Sequence, residues 1–122
     1  MLNAIGRLCL SGIFLVTGVT HVLNWPEKVL SLAGKGVPVP EFFLACAVIL
    51  MIGGGILLLT GQRNRLAALA LLVFMVPTTL IYHNFWAFPA AEYQSQLIQF
   101  LKNLAIIGGL LIVLSPGKKA QK

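Results

Sequence analysis

The side chains of this sequence that can exchange a proton or hold a polar ligand are few, and they recur beside the ends of apolar stretches. His21 closes one such stretch and His83 another, with Asn84 and Trp86 following the second histidine; Glu41 opens a third stretch, and Lys102 with Asn103 lies early in a fourth. An imidazole titrates near pH 6.5 and so passes protons in the physiological range. An ammonium or a carboxamide donates hydrogen bonds and stabilises a developing anion, and a carboxylate would balance Lys102. The chemistry on offer is proton exchange with, and hydrogen bonding to, a ligand carrying acceptor oxygens.

The elements that must position these residues are set by composition. Of the 122 residues 58% are hydrophobic and only 10% are charged, at a mean hydropathy of +0.92. A soluble domain of this size carries roughly a quarter of its residues as charges, so the chain is an integral membrane protein. Apolar runs long enough to cross the bilayer occupy about 4–23, 42–60, 66–82 and 97–114. They lack the alternation of barrel strands, and open sheet edges do not survive in lipid, so each is a helix. The expected fold is an all-α membrane protein, a single four-transmembrane-helix bundle over 1–122. Residues 61–65 form a tight turn, 24–40 a Pro- and Gly-rich loop with an interfacial turn around 27–33, and 83–96 the last connection.

The net charge of +6 is spread thinly between the spans, as topology signals are, with no face suited to nucleic acid. Arg7, Arg63, Arg65, Lys118, Lys119 and Lys122 fall on one side and Lys28 and Lys35 on the other, which puts both termini in the cytoplasm. Trp25, Trp86 and Tyr93 then form an outer aromatic belt. Ser31-Leu32-Ala33 resembles a signal-peptide cleavage site, but the apolar stretch before Asn24 exceeds the usual length of such a core, so the first span is expected to be retained.

With this topology His21, Glu41, His83, Lys102 and Asn103 share the outer half of the bilayer, and the helix ends bring them toward one pocket. Lys102 stands roughly 18 Å above the inner end of its span by the helical rise, where a charge costs about 2.5 to 3.5 kcal/mol. It is expected to face a cavity, Glu41 or the histidines. Each residue also has a structural role open to it: a helix-end histidine on a backbone carbonyl, Glu41 as an acid complementing a helix N-terminus, Lys102 snorkelling to the headgroups. Pro77, followed by Thr78 and Thr79, predicts a kink just inward of His83. No metal site is expected from two histidines and one glutamate. Cys9 and Cys46 differ in depth by on the order of 15 Å, too far for a disulfide. Phosphate-loop, nucleophile-elbow, haem, flavin and iron–sulfur patterns are all missing from the sequence.

Two helical hairpins also resemble each other. Arg7-Leu8 leading to His21, Asn24 and Trp25 parallels Arg65-Leu66 leading to His83, Asn84 and Trp86, and Ile52-Gly53-Gly54 parallels Ile107-Gly108-Gly109. This would be a parallel repeat about the membrane normal, with chance similarity of apolar helices as the alternative. Ser11 and Gly18 on the first span and the triple glycine 53–55 on the second admit close helix approach.

Several stretches together resemble the DoxX family of bacterial membrane proteins. They are Gly6-Arg7, Ile13-Phe14-Leu15 and Gly18 before His21, the Gly-Pro-rich first loop, 57–61 followed by arginines, His83-Asn84-Phe85-Trp86, 100–104 and Gly108-Gly109. The resemblance implies a compact four-helix bundle in the inner membrane. It further implies an association with quinol oxidation and thiosulfate:quinone oxidoreduction, after which the family is named. The expected function is a small quinone- or lipid-binding subunit supporting membrane redox chemistry with a redox partner protein. Its site would be formed by His21, Glu41, His83, Asn84, Trp86, Lys102 and Asn103. The alternative is a noncatalytic scaffold or an oligomeric transport element.

Overall fold

The computed structural model describes residues 1–115. Lys118, Lys119 and Lys122, three of the residues used for the orientation, lie outside them. The chain forms α1 (Leu2–Leu23), α2 (Trp25–Gly34), α3 (Pro40–Thr60), α4 (Asn64–Tyr82), a short 3₁₀ turn (Phe85–Ala87) and α5 (Ala90–Leu114). Four of these helices, α1, α3, α4 and α5, are long and apolar enough to cross a membrane.

The spans pack in the order α1, α3, α4, α5. Their shared core holds Phe14, Met51, Leu58, Ala67, Ala68, Leu71, Met75 and Leu110, all buried. Large aliphatic side chains such as Val16, Ile49, Val73 and Ile112 stand exposed around the outside. That distribution suits a bundle whose exterior solvent is lipid, because apolar groups gain little by leaving it and the helices are held by close packing. Small residues supply that packing. Gly18 of α1 faces Ile52 of α3, Gly55 of α3 faces Leu15 of α1, and Gly54 of α3 faces Leu71 of α4. At the end of the bundle where α3 stops, Arg7 Nε donates to the Leu58 carbonyl at 3.2 Å, and the same guanidinium is bonded to Asn3. The Leu58 carbonyl also accepts from the Gly61 N–H at 3.2 Å, so Arg7 adds a second bond at the α3 C-terminus, beside Gly61, whose φ of 80° ends the helix in the left-handed region.

Two expectations need correction. Residues 25–34 are a helix of ten residues, not a loop with one turn. Pro26 lies in its first turn, where its missing N–H was unpaired in any case, so it starts the helix instead of breaking it. The last span begins at Ala90, seven residues before 97, because Glu92, Gln94, Ser95 and Gln96 are polar but good enough helix formers to extend it beyond the apolar run. Helix α4 continues past Pro77 to Tyr82. Thr79 Oγ1 turns back to the Met75 carbonyl at 2.8 Å, the back-bonding open to a threonine inside a helix.

The hairpin likeness has a local counterpart in the packing. Gly54 and Gly109, the last residues of the two Ile-Gly-Gly stretches, each face a leucine of the opposite hairpin's first helix, Leu71 of α4 and Leu10 of α1 respectively. Gly53 and Gly108 both face open space. The hairpins differ in their links, α2 in the first and the 3₁₀ turn in the second.

Candidate functional site

A cavity of about 880 Å³ lies between the helices at the α2 end of the bundle. Its inner walls are apolar, made by Phe14 of α1, Leu44 and Met51 of α3 and Phe74 of α4, with Ile106 of α5. Into it come His21 near the end of α1, His83 just past α4, and Asn103 of α5. Three of the residues singled out by sequence therefore converge on one space.

Their bonding differs in a way that matters chemically. His21 Nδ1 is buried and has no hydrogen-bond partner among the described residues. An unsatisfied buried ring nitrogen costs about 1 to 3 kcal/mol. His83 Nδ1 is 2.9 Å from Gln96 Oε1. Since a carboxamide oxygen only accepts, Nδ1 carries the proton, and Nε2 is left to accept from a ligand hydroxyl or, in the charged ring, to donate. Asn103 Nδ2 donates to Thr79 Oγ1 at 3.1 Å, which orients the amide and frees its oxygen.

The other four residues are placed elsewhere. Lys102 is exposed on a stripe of α5 with Ile98 and Ala105. It is one position, about 100° around the helix, from the inward-facing Asn103. Glu41 is exposed in the first turn of α3, so the two do not meet in the cavity. Asn84 precedes the 3₁₀ turn, and its carbonyl accepts from Ala87 N–H at 2.9 Å. Trp86 is 58% exposed, with its ring edge-on to Phe85 and Phe100, the habit of an interfacial tryptophan.

Residues that sequence reasoning did not select complete the walls. Lys28, Ser31 and Lys35 project from α2 and its end, Tyr82 from α4, and Cys46 from α3. Ser31 Oγ and the Tyr82 hydroxyl are hydrogen-bonded at 3.0 Å, and Lys35 Nζ lies 5.2 Å from the Tyr82 ring centre and 5.4 Å from that of Phe88. The signal was present as the spacing of Lys28, Ser31 and Lys35, three and four apart, which shares a face once 25–34 is helical.

A helical membrane bundle with a largely apolar cavity at one end is the class that fold and site define. The family model described as DoxX matches residues 2–84, and the chain belongs to that family. It is 26% identical over 120 residues to the inner membrane protein YphA of Escherichia coli (strain K12), covering 98% of this chain and 86% of that one. To the inner membrane protein YqjF of the same organism it is 28% identical over 116 residues, covering 95% and 84%. No solved structure matches it. With four apolar helices, it is a multi-pass protein of the inner membrane.

Proposed function

We propose that the protein is a small quinone- or lipid-binding subunit supporting redox chemistry of the inner membrane. The observation that carries this reading is the convergence of His21, His83 and Asn103 on one largely apolar cavity. A quinone needs an apolar slot for its ring and tail, hydrogen-bonding groups at its oxygens, and a route for the protons that accompany its electrons. The aromatic and aliphatic walls serve the first need, Asn103 and the histidines the second, and the two imidazoles the third. Electrons come from a redox partner protein, since the sequence carries no haem, flavin or iron–sulfur pattern. Arg7, Arg63 and Arg65 lie toward the opposite end of the bundle from Lys28 and Lys35, which supports cytoplasmic termini and a cavity facing the outer leaflet.

The test is retention of a quinone through gentle purification, compared with a His21→Ala/His83→Ala variant of matched helicity. Loss from the variant supports the reading, and equal retention by both proteins refutes it. A second reading, an oligomeric scaffold, draws on Gly12, Gly53 and Gly108, around which a side chain would meet nothing within 4 Å. These surfaces are free to pack against another membrane helix.

A further inference from the structure

We propose that the mouth of the cavity is a recognition site for the phosphate head of an anionic lipid, whose tail enters the apolar interior. The proposal rests on the reading that the cavity receives an amphiphile and adds which head group the site selects. Lys28 and Lys35, the two lysines of the 24–40 connection, both line the cavity. Lys28 is half-buried, and Lys35 is held over the Tyr82 and Phe88 rings. Between them Ser31 and the Tyr82 hydroxyl, bonded to each other, leave one O–H free to donate at the same rim.

Among the described residues no carboxylate lines this rim. The chain has three acidic residues, Glu27, Glu41 and Glu92, and all three are exposed and absent from the cavity lining. Two ammonium groups at a concave, partly apolar site without a counter-acid favour an anion strongly, because low-dielectric walls focus the field. Hydroxyls beside ammonium groups match the several acceptor oxygens of a phosphate. The mainly apolar volume behind the rim is far larger than a phosphate, so the anion that fits the whole space carries a hydrocarbon tail.

Cys46 gives the test a built-in reporter, since it lines the cavity within the first two turns of α3. In a Cys9→Ser background, maleimide labelling of Cys46 is timed in nanodiscs of dioleoylphosphatidylcholine, alone or doped with dioleoylphosphatidylglycerol or undecaprenyl phosphate. Lipid bound after delipidating exchange is counted by native mass spectrometry. At equal mole fraction the phosphate-headed anionic lipids are expected to protect Cys46 roughly tenfold better than the zwitterionic lipid, given the usual contribution of a lysine near an anionic head. A Lys28→Gln/Lys35→Gln variant is expected to lose the preference, and Lys28→Arg/Lys35→Arg to keep it, with helicity and melting temperature verifying that each folds. Equal protection by all lipids, or a preference that survives the glutamine pair, overturns the anionic assignment while leaving the amphiphile cavity standing. Absence of both protection and bound lipid overturns the cavity reading as well. Inorganic phosphate alone is expected to leave Cys46 labelling unchanged; protection by it would make the ligand the free anion and overturn the lipid assignment.

Discussion

A single methyl group separates two adjacent glycines of α3. A Cβ at Gly54 would sit 2.8 Å from Leu71 Cγ, a side chain that is fully buried, whereas a Cβ at Gly53 meets nothing within 4 Å. Gly54→Ala is therefore expected to destabilise the bundle by about 1 to 3 kcal/mol, the usual penalty of overpacking, while Gly53→Ala leaves it unchanged or slightly firmer. Thermal melts in one detergent compare the two, and equal melting temperatures would refute the α3–α4 packing described. Thr79→Val is a similar case. It removes the acceptor of Asn103 Nδ2, and the unsatisfied amide is expected to cost about 1 to 3 kcal/mol. At this scale the sequence revealed the histidines and Asn103, because helix ends and apolar surroundings make polar residues conspicuous. Lys102 was misplaced for a physical reason. The cost of a charge in lipid is relieved either by a cavity or by snorkelling, and the choice depends on about 100° of helical phase that a uniformly apolar span does not display.

α2 is the element that turns a gap between spans into a site. Its Pro26 and Glu27 suit a first helical turn, yet beside Gly34, Gly36, Pro38 and Pro40 they read as loop residues, and this concealed the shared face of Lys28, Ser31 and Lys35. The bond from Ser31 to Tyr82 ties α2 to the end of α4 across the mouth. Tyr82→Phe is expected to raise the labelling rate of Cys46 severalfold without lowering stability by more than the usual worth of one exposed hydrogen bond, about 1 kcal/mol. An unchanged rate would show that α2 does not govern access. At the other end, Arg7→Gln removes the guanidinium from the Leu58 carbonyl and is expected to cost roughly 1.5 to 3 kcal/mol. Denaturation of both variants under matched conditions would separate an effect on access from one on stability.

For the whole molecule, hydropathy was enough to reveal four helices and their approximate spans, since only helices satisfy their backbone in lipid at this length. The size and lining of the cavity were not legible from hydropathy, because they depend on how the helices and α2 pack at one end. Orientation is open to a direct check. A reporter inserted after Gly36 is expected to be active outside the cytoplasm and one fused at Lys122 inside it, and the reverse pattern would place the cavity on the inner face. The central claim is that the cavity holds an amphiphile through His21 and His83. Its most direct test is mass spectrometry of the organic extract from gently purified protein, beside His21→Ala/His83→Ala folded to the same helicity. A stoichiometric quinone or lipid in the native extract, lost from the variant, is the expected result; the same content in both, or none in either, would contradict it.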